Sequence, residues 1–332
     1  MLTRELDYEL PKDLIAQRPA EPRDSSRLML VNARSGEISH HVFREFPNFL
    51  RPGDALVLNE TKVLPARLEV RRPGGGKGEL LFLRELENDS WEVLAQPSKR
   101  LRAGLKLSTD GGEISVVEPL DGGRWIVTAS DTRGLLDRHG HIPLPPYIES
   151  TPEAEARYQT VYARNSGSAA APTAGFHFTE EVLEGAESAG ARLARVTLHV
   201  GTGTFIPVRA DNLDEHQMHA EHYSVPEDAA RAVEGAQHVV AAGTTVARTL
   251  ETWAQSGMRE GESRLFVYPG YEWRRVDALL TNFHLPRSTL LAMVMSFGGT
   301  DLVREAYRVA VDERYRFYSF GDAMLILNGG RS

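Results

Sequence analysis

Between Tyr158 and Phe205 the chain concentrates residue types that chemistry uses. YQTVYA, AAPTAGFHF and TLHVGTGTF bring glycine, threonine, histidine and aromatic side chains together in fewer than fifty residues. Apolar strands and helices are built from Leu, Val, Ile and Ala, whereas Thr-Ala-Gly and Gly-Thr-Gly-Thr supply bare backbone N–H groups, small hydroxyls and room for a ligand. The stretch is therefore expected to floor a small-molecule site. His177 in GFHF and His284 in TNFHLP each stand between an aromatic or apolar residue and a loop-forming one. A part-buried imidazole there is expected to have a pKa free to cross neutrality and to serve as a general acid or base. A buried histidine satisfied by a backbone carbonyl is the alternative reading of either one.

Other patterns are less specific. Gly201-Thr202-Gly203-Thr204 follows the strand-like VTLHV but lacks the spacing of a dinucleotide fingerprint or a P-loop. The run Glu215 to His222 sets His216, His219 and His222 at intervals of three, near one face if helical. Metal sites need ligands converging from separate turns, so no metal is expected, and a metal-dependent hydrolase stays as an alternative. Basic residues gather at Lys62, Arg67, Arg71, Arg72 and Lys77, and again at Lys99, Arg100, Arg102 and Lys106. Such strips suit phosphate contact, and equally a solvated face.

The elements that must position these groups fall into two kinds. From Thr61 to Ile148, ARLEV, GELLFLREL, WEVLAQP, GLKLS, GEISVVEPL and RWIVTAS alternate with RRPGGGKG, ENDS, TDGG and DGG. That spacing predicts a small antiparallel barrel or sandwich. On either side, predicted helices at 179–189, 226–236, 244–256 and 300–312 alternate with predicted strands at 55–58, 192–199, 238–242, 262–267 and 323–327. The fold class is thus α/β in a multi-domain α+β chain: an α/β layered body, residues 1–60 and 149–332, with the β-rich module, residues 61–148, inserted in it. Thr179, followed by Glu180, Glu181 and an apolar run, is the expected helix N-cap, which sets AAPTAGFHF at a helix N-terminus.

Composition narrows the classes. A chain of 332 residues with 41% hydrophobic residues exceeds one core. Net charge −8 argues against indiscriminate nucleic-acid binding, and the absence of cysteine excludes disulfides and thiolate chemistry. The most hydrophobic segment, Leu290 to Phe297, is too short to span a bilayer, and a cytoplasmic protein with no membrane partner is expected.

Taken together, the segments resemble the S-adenosylmethionine:tRNA ribosyltransferase-isomerases of queuosine biosynthesis. The resemblance runs through DYELPKDLIAQRPAEPRDSSRLML, RPGDALVLNETKVLPARL, PLPPYI, RYQTVYA, AAPTAGFHFT, TLHVGTGTFIPV, EHQMHAEHY, LLTNFHLPRSTLL and YRFYSFGDAMLI, in that order. Phe176 stands where leucine is expected, and Ala242 and Val246 depart from the usual pattern, Val246 with loss of a serine hydroxyl. The resemblance implies an α/β body with an inserted β-barrel, a monomer, and no cofactor, S-adenosylmethionine being consumed as substrate. It implies transfer and isomerisation of the ribosyl part of S-adenosylmethionine onto 7-aminomethyl-7-deazaguanine in a tRNA anticodon, giving epoxyqueuosine with loss of adenine and methionine.

Such a reaction needs a base for a C5′ proton acidified by the sulfonium and a proton donor for departing adenine, with His177, His199, His219 and His284 as candidates. Phe176, Phe178, Phe205 and Phe283 are expected as walls around the sulfonium. Thr173, Gly175, Gly201, Thr202, Gly203 and Thr204 are expected around the carboxylate and ribose, with Glu215 for the α-amino group or a diol. Lys62, Arg67, Arg100, Arg102, Arg287, Arg314 and Arg316 are expected on tRNA phosphates. A non-catalytic RNA-binding module and a plain methyltransferase remain competing readings.

Overall fold

The computed structural model describes residues 1–87, 89–201, 208 and 210–328. The chain begins with β1 (Arg27–Asn32), β2 (Ile38–Val42), β3 (Ala55–Asn59) and β4 (Thr61–Val63). It then runs through β5 (Arg67–Arg71), β6 (Lys77–Glu85), β7 (Ser90–Gln96), β8 (Lys106–Thr109), β9 (Gly112–Pro119) and β10 (Arg124–Thr128). Next come α1 (Thr132–His139), α2 (Pro152–Arg157), β11 (Asn165–Ser168), α3 (Glu180–Ser188), β12 (Arg192–Leu198), β13 (Glu221–Ser224) and α4 (Glu227–Glu234). The remainder is β14 (Val239–Ala242), α5 (Thr244–Ser256), β15 (Glu260–Ser263), β16 (Ala278–Asn282), α6 (Thr289–Gly298), α7 (Thr300–Asp312) and β17 (Ala323–Leu327).

Strands β5 to β10 close into an antiparallel barrel in the order β10-β7-β6-β5-β8-β9, which decides between barrel and sandwich. Alternation is the cause: Leu68 and Val70, Leu80 and Phe82, Trp91 and Val93, and Ile114 and Val116 turn inward at every second residue and fill the interior. Leu135 and Leu136 of α1 join this core.

The body is a nine-stranded sheet in the order β15-β13-β12-β3-β14-β16-β17-β1-β2. Strands β12, β3, β14 and β16 are mutually parallel, and β17 turns antiparallel against β16. Each central strand is apolar on both faces. Ala55 and Val57 pack with α4 to α7 on one side, whereas Leu56 and Leu58 face α3 and the Phe43–Phe49 turn on the other. A three-layer arrangement follows.

Sequence periodicity matches the structure at α5, α7 and β17, and Thr179 caps α3 by accepting from the Val182 amide (3.3 Å). It misses β1, β2, β16 and α6. The last two are buried along nearly their whole length, so they show no polar face to set a period. The expected strand over 262–267 ends at Ser263, whose hydroxyl takes the Leu265 amide and turns the chain. The helical setting supposed for the histidine run is corrected. Residues Leu213–Glu215 form a single 3-10 turn, and Glu221 to Ser224 pair as a strand with β12 and β15.

At the end of β3, the fully buried Asn59 uses all four hydrogen-bonding valences. Its amide donates to Leu198 O (3.0 Å) and Thr245 Oγ1 (3.2 Å), and its carbonyl accepts from Thr61 N and Leu198 N (both 3.1 Å). Asn59→Ala strands those groups in a dry interior. It is expected to lower unfolding free energy by about 3 kcal/mol in urea titration.

Candidate functional site

The parallel strands β12, β14 and β16 end around one cavity of about 60 Å³, lined by Val200, Gly243 to Thr245 and Asn282 to Leu285. In open α/β sheets ligands bind at such carboxyl ends, in the crevice where successive strands lie on opposite sides of a neighbour, as β12 and β14 do about β3. Two helices begin there. Helix α5 starts after Gly243, whose φ of 112° is open to glycine alone among common residues, and α6 starts after Ser288, which caps Leu291 N (3.1 Å). Both positive helix ends face the cavity region.

Asn282 organises one wall. Its amide donates to His177 Nε2 (3.2 Å) and to Tyr318 O (3.1 Å), while its carbonyl accepts from Thr173 Oγ1 (3.3 Å). His177 Nδ1 lies 2.8 Å from Ser26 Oγ. The ring therefore accepts at Nε2 and donates from Nδ1, and its lone pair is spoken for. His284 differs. Thr281 Oγ1 lies 2.6 Å from His284 Nε2 and also within reach of Asn282 O (3.3 Å), while Nδ1 has no hydrogen-bond partner among the described residues. The His284 backbone is pinned from both sides, by Tyr8 OH on its carbonyl (2.5 Å) and Tyr307 OH on its amide (2.9 Å).

The expectation of histidines poised at neutrality is corrected. Burial holds His177 at about 3, with Arg316 and Arg23 adding to the depression, and burial alone holds His284 at about 3. Both are neutral imidazoles in the structure. The same wall carries strain: Tyr318 adopts φ of 71°, a left-handed backbone uncommon for an aromatic residue, and its ring packs on Tyr147 at 4.7 Å. Tyr147 OH bonds Ser319 Oγ (2.8 Å), which holds the segment.

A larger groove of about 380 Å³ lies behind His284, against Tyr8, Met295, Tyr307 and Arg304. It lacks the convergence of strand ends and helix N-termini, so the smaller cavity is the better candidate on chemical grounds.

Likeness to known proteins identifies the family. The family model described as queuosine biosynthesis protein matches residues 3–326. The chain belongs to that family. A relative from Rubrobacter xylanophilus, named S-adenosylmethionine:tRNA ribosyltransferase-isomerase, is 71% identical over 100% of this chain and 99% of its own length. One of the same name from Symbiobacterium thermophilum is 51% identical over 98% and 100%. The crystal structure of S-adenosylmethionine tRNA ribosyltransferase from Thermotoga maritima shares 39% identity and a TM-score of 0.56, covering 97% of this chain and 100% of that one.

In this member of the queuosine biosynthesis family, Thr173, Phe283 and His284 line the cavity. Thr202, Gly203, Thr204 and Phe205 lie outside the described residues. Phe176 and Phe178 do not reach the cavity: Phe178 packs on Phe43 and Phe46, and Phe176 on Tyr158 and Phe320. Gly175 gives no room to a ligand, since the Tyr162 hydroxyl occupies the place of a Cβ. Phe283 contributes backbone, its ring being packed among Tyr307, Tyr315 and Phe317. His199 stands aside on Thr61 Oγ1 (2.8 Å), and Gly201 donates to Glu221 Oε1 (2.7 Å). Glu215 and His219 are exposed. His216 sits against Phe266 and His222 opposite Glu260 (3.6 Å), and no group of three metal-ligating side chains occurs among the described residues.

Of the basic candidates, Arg67 faces Glu79 (3.5 Å), Arg287 Asp7 (2.8 Å), Arg314 Asp13 (2.6 Å) and Arg316 Asp322 (3.1 Å). Lys62, Arg100 and Arg102 are exposed and have no carboxylate partner among the described residues. Sequence reading missed Asn282, Tyr318, Tyr147 and the Gly243-Thr244-Thr245 turn. The turn had a signal, glycine between an apolar strand and a helix.

With folded pKa values depressed below the usual 6.5, His177 and His284 leave stability untouched above that pH. As pH falls from 6.5 toward 3 the unfolded chain takes up protons that the folded one refuses. Each histidine then removes roughly 1.4 kcal/mol per pH unit. Denaturation between pH 7 and 4 is expected to show this slope, made shallower by His177→Gln.

Proposed function

We propose that this chain transfers and isomerises the ribosyl moiety of S-adenosylmethionine onto 7-aminomethyl-7-deazaguanine in a tRNA anticodon, yielding epoxyqueuosine-tRNA, adenine and methionine. The carrying observation is the end-to-end likeness to relatives so named, at 71% identity. The cavity supplies chemistry that fits. A neutral His284 is in the unprotonated form a general base requires, and Nδ1 is the ring nitrogen without a protein partner among the described residues. Removal of a C5′ proton next to the sulfonium gives an ylide, and opening of the ribose releases adenine, which takes up a proton. The aminomethyl nitrogen then adds to the sugar, and ring closure expels methionine.

In this reading His177 is a positioning residue, because Ser26 and Asn282 occupy both ring nitrogens. Thr173, Asn282 and the α5 N-terminus hold polar parts of S-adenosylmethionine. Residues 61–148 are taken as the inserted unit and 1–60 with 149–332 as the body. Lys62, Arg100 and Arg102 are the residues on tRNA phosphates, their charges being uncommitted within the described chain. The reading carries a cytoplasmic monomer that uses no cofactor.

The test is purified protein with S-adenosylmethionine and tRNA bearing the aminomethyl base, in EDTA, followed by mass spectrometry. Adenine, methionine and a matching gain on the nucleoside are expected. No adenine, with or without EDTA, would overturn the reading. His284→Ala is expected to reduce turnover by about 100-fold or more, the usual range for a lost base, with the fold intact by circular dichroism. A double reversal, Arg100→Glu with Arg102→Glu, is expected to weaken tRNA binding and to flatten its log–log salt dependence by about 2. Unchanged affinity and slope would remove both arginines from the RNA face.

A further inference from the structure

Beside the main cavity lies a chamber of about 20 Å³ that shares Thr244, Thr245 and Leu290 with it and is closed by Glu221 and Arg248. Arg248 stands one turn into α5. Helical side chains lean toward the N-terminus, so its guanidinium lies on the side of the first-turn amides. Arg248 and Glu221 form an ion pair with only 8% and 6% of their side-chain surface exposed. Burial draws Arg248 down to about 10, and it stays cationic at neutral pH.

Two independent features here ask for an anion. Arg248 Nε is buried without a hydrogen-bond partner among the described residues. Helix α5, thirteen residues long, begins at Gly243 with no side-chain cap, and its first intrahelical bond comes from Ala247 N, so the amides of Thr244, Thr245 and Val246 precede it. The complementary need is met by Glu221, tied through Oε1 to Gly201 N (2.7 Å). A buried ion pair is seldom more stabilising than an apolar pair of the same volume, so its presence at a cavity points to use.

We propose that the Arg248–Glu221 pair seats the α-amino acid end of the substrate, with the carboxylate on Arg248 and the α5 amides and the ammonium on Glu221. The proposal rests on the reading of S-adenosylmethionine as substrate. A zwitterion suits a neutral pair: when the partners separate to admit it, one ion pair is exchanged for two and no net charge enters the interior. The chamber holds about one water, so the partners do have to part. Neither residue touches the reacting sugar carbons in this arrangement. They fix the methionine end, and thereby the sulfonium, relative to His284.

Calorimetric binding of S-adenosylmethionine and of its decarboxylated analogue tests the seat. The wild-type protein is expected to prefer the carboxylated form by at least about 30-fold, the loss usual when a buried charge loses its partner. Arg248→Gln is expected to bring the two affinities within about 3-fold, chiefly by weakening S-adenosylmethionine, and Arg248→Lys to restore part of the preference. Since Arg248→Gln leaves Glu221 unpaired, Arg248→Met with Glu221→Leu is the second variant, and the same collapse of preference is expected. A wild-type protein that binds both forms equally, or either variant keeping the full preference, overturns the seat alone. A folded wild-type protein that binds neither form overturns the ribosyl-transfer reading and the seat with it.

Discussion

Parallel strands that stop together leave unpaired peptide groups at one end of a sheet, and in this chain two asparagine side chains resolve that problem. Asn59 closes β3 by bonding both the amide and the carbonyl of Leu198, and so keeps β12 in register beyond the last ladder contact. Asn282 closes β16 and ties His177, Thr173 and Tyr318 into one wall. A carboxamide is the only neutral side chain with two donors and two acceptors in a plane, which suits it to sites where backbone directions diverge. These residues end the strands at the cavity without orphaning polar groups.

The electrostatics of the body follow from the same economy. His177 and His284 are kept uncharged by burial, and the tautomer of His177 is set by its hydroxyl and amide neighbours. Charge that is admitted to the interior comes with its partner, as Arg248 with Glu221. Glu251, fully buried, is met by Tyr271 OH and the amides of Arg274, Arg275 and Val276 at 2.8 to 3.1 Å, which fastens the segment before β16. Such networks stabilise only when every member is satisfied.

Much of this was legible in the sequence, unevenly and for physical reasons. The barrel was readable because Gly-rich turns punctuate its alternation, and α5, α7 and β17 because each has a clear period or boundary. Strand β16 and helix α6 were not, since burial on all sides erases periodicity. His284 was visible as a histidine in a loop-like context, but its tautomer depends on Thr281 three residues away and on how β16 ends. Asn282, Glu221 and Arg248 gave no local sign at all. Their meaning comes from partners 20 to 109 residues distant, a separation short windows do not see. Phe176 and Phe178 looked like ligand walls and are core, because aromatic residues beside glycine have the same composition in either role.

The strand order also dictates a timetable for a chain leaving the ribosome. β1 finds its parallel partner only in β17, the last strand, and β3 is flanked by β12 and β14, both made after the barrel. The barrel draws its six strands from one continuous stretch and is able to close while the body lacks most of its sheet. Until β12 and β14 reach β3, and β17 reaches β1, those strands wait with edges unpaired, an opportunity for chaperones and for misassociation alike.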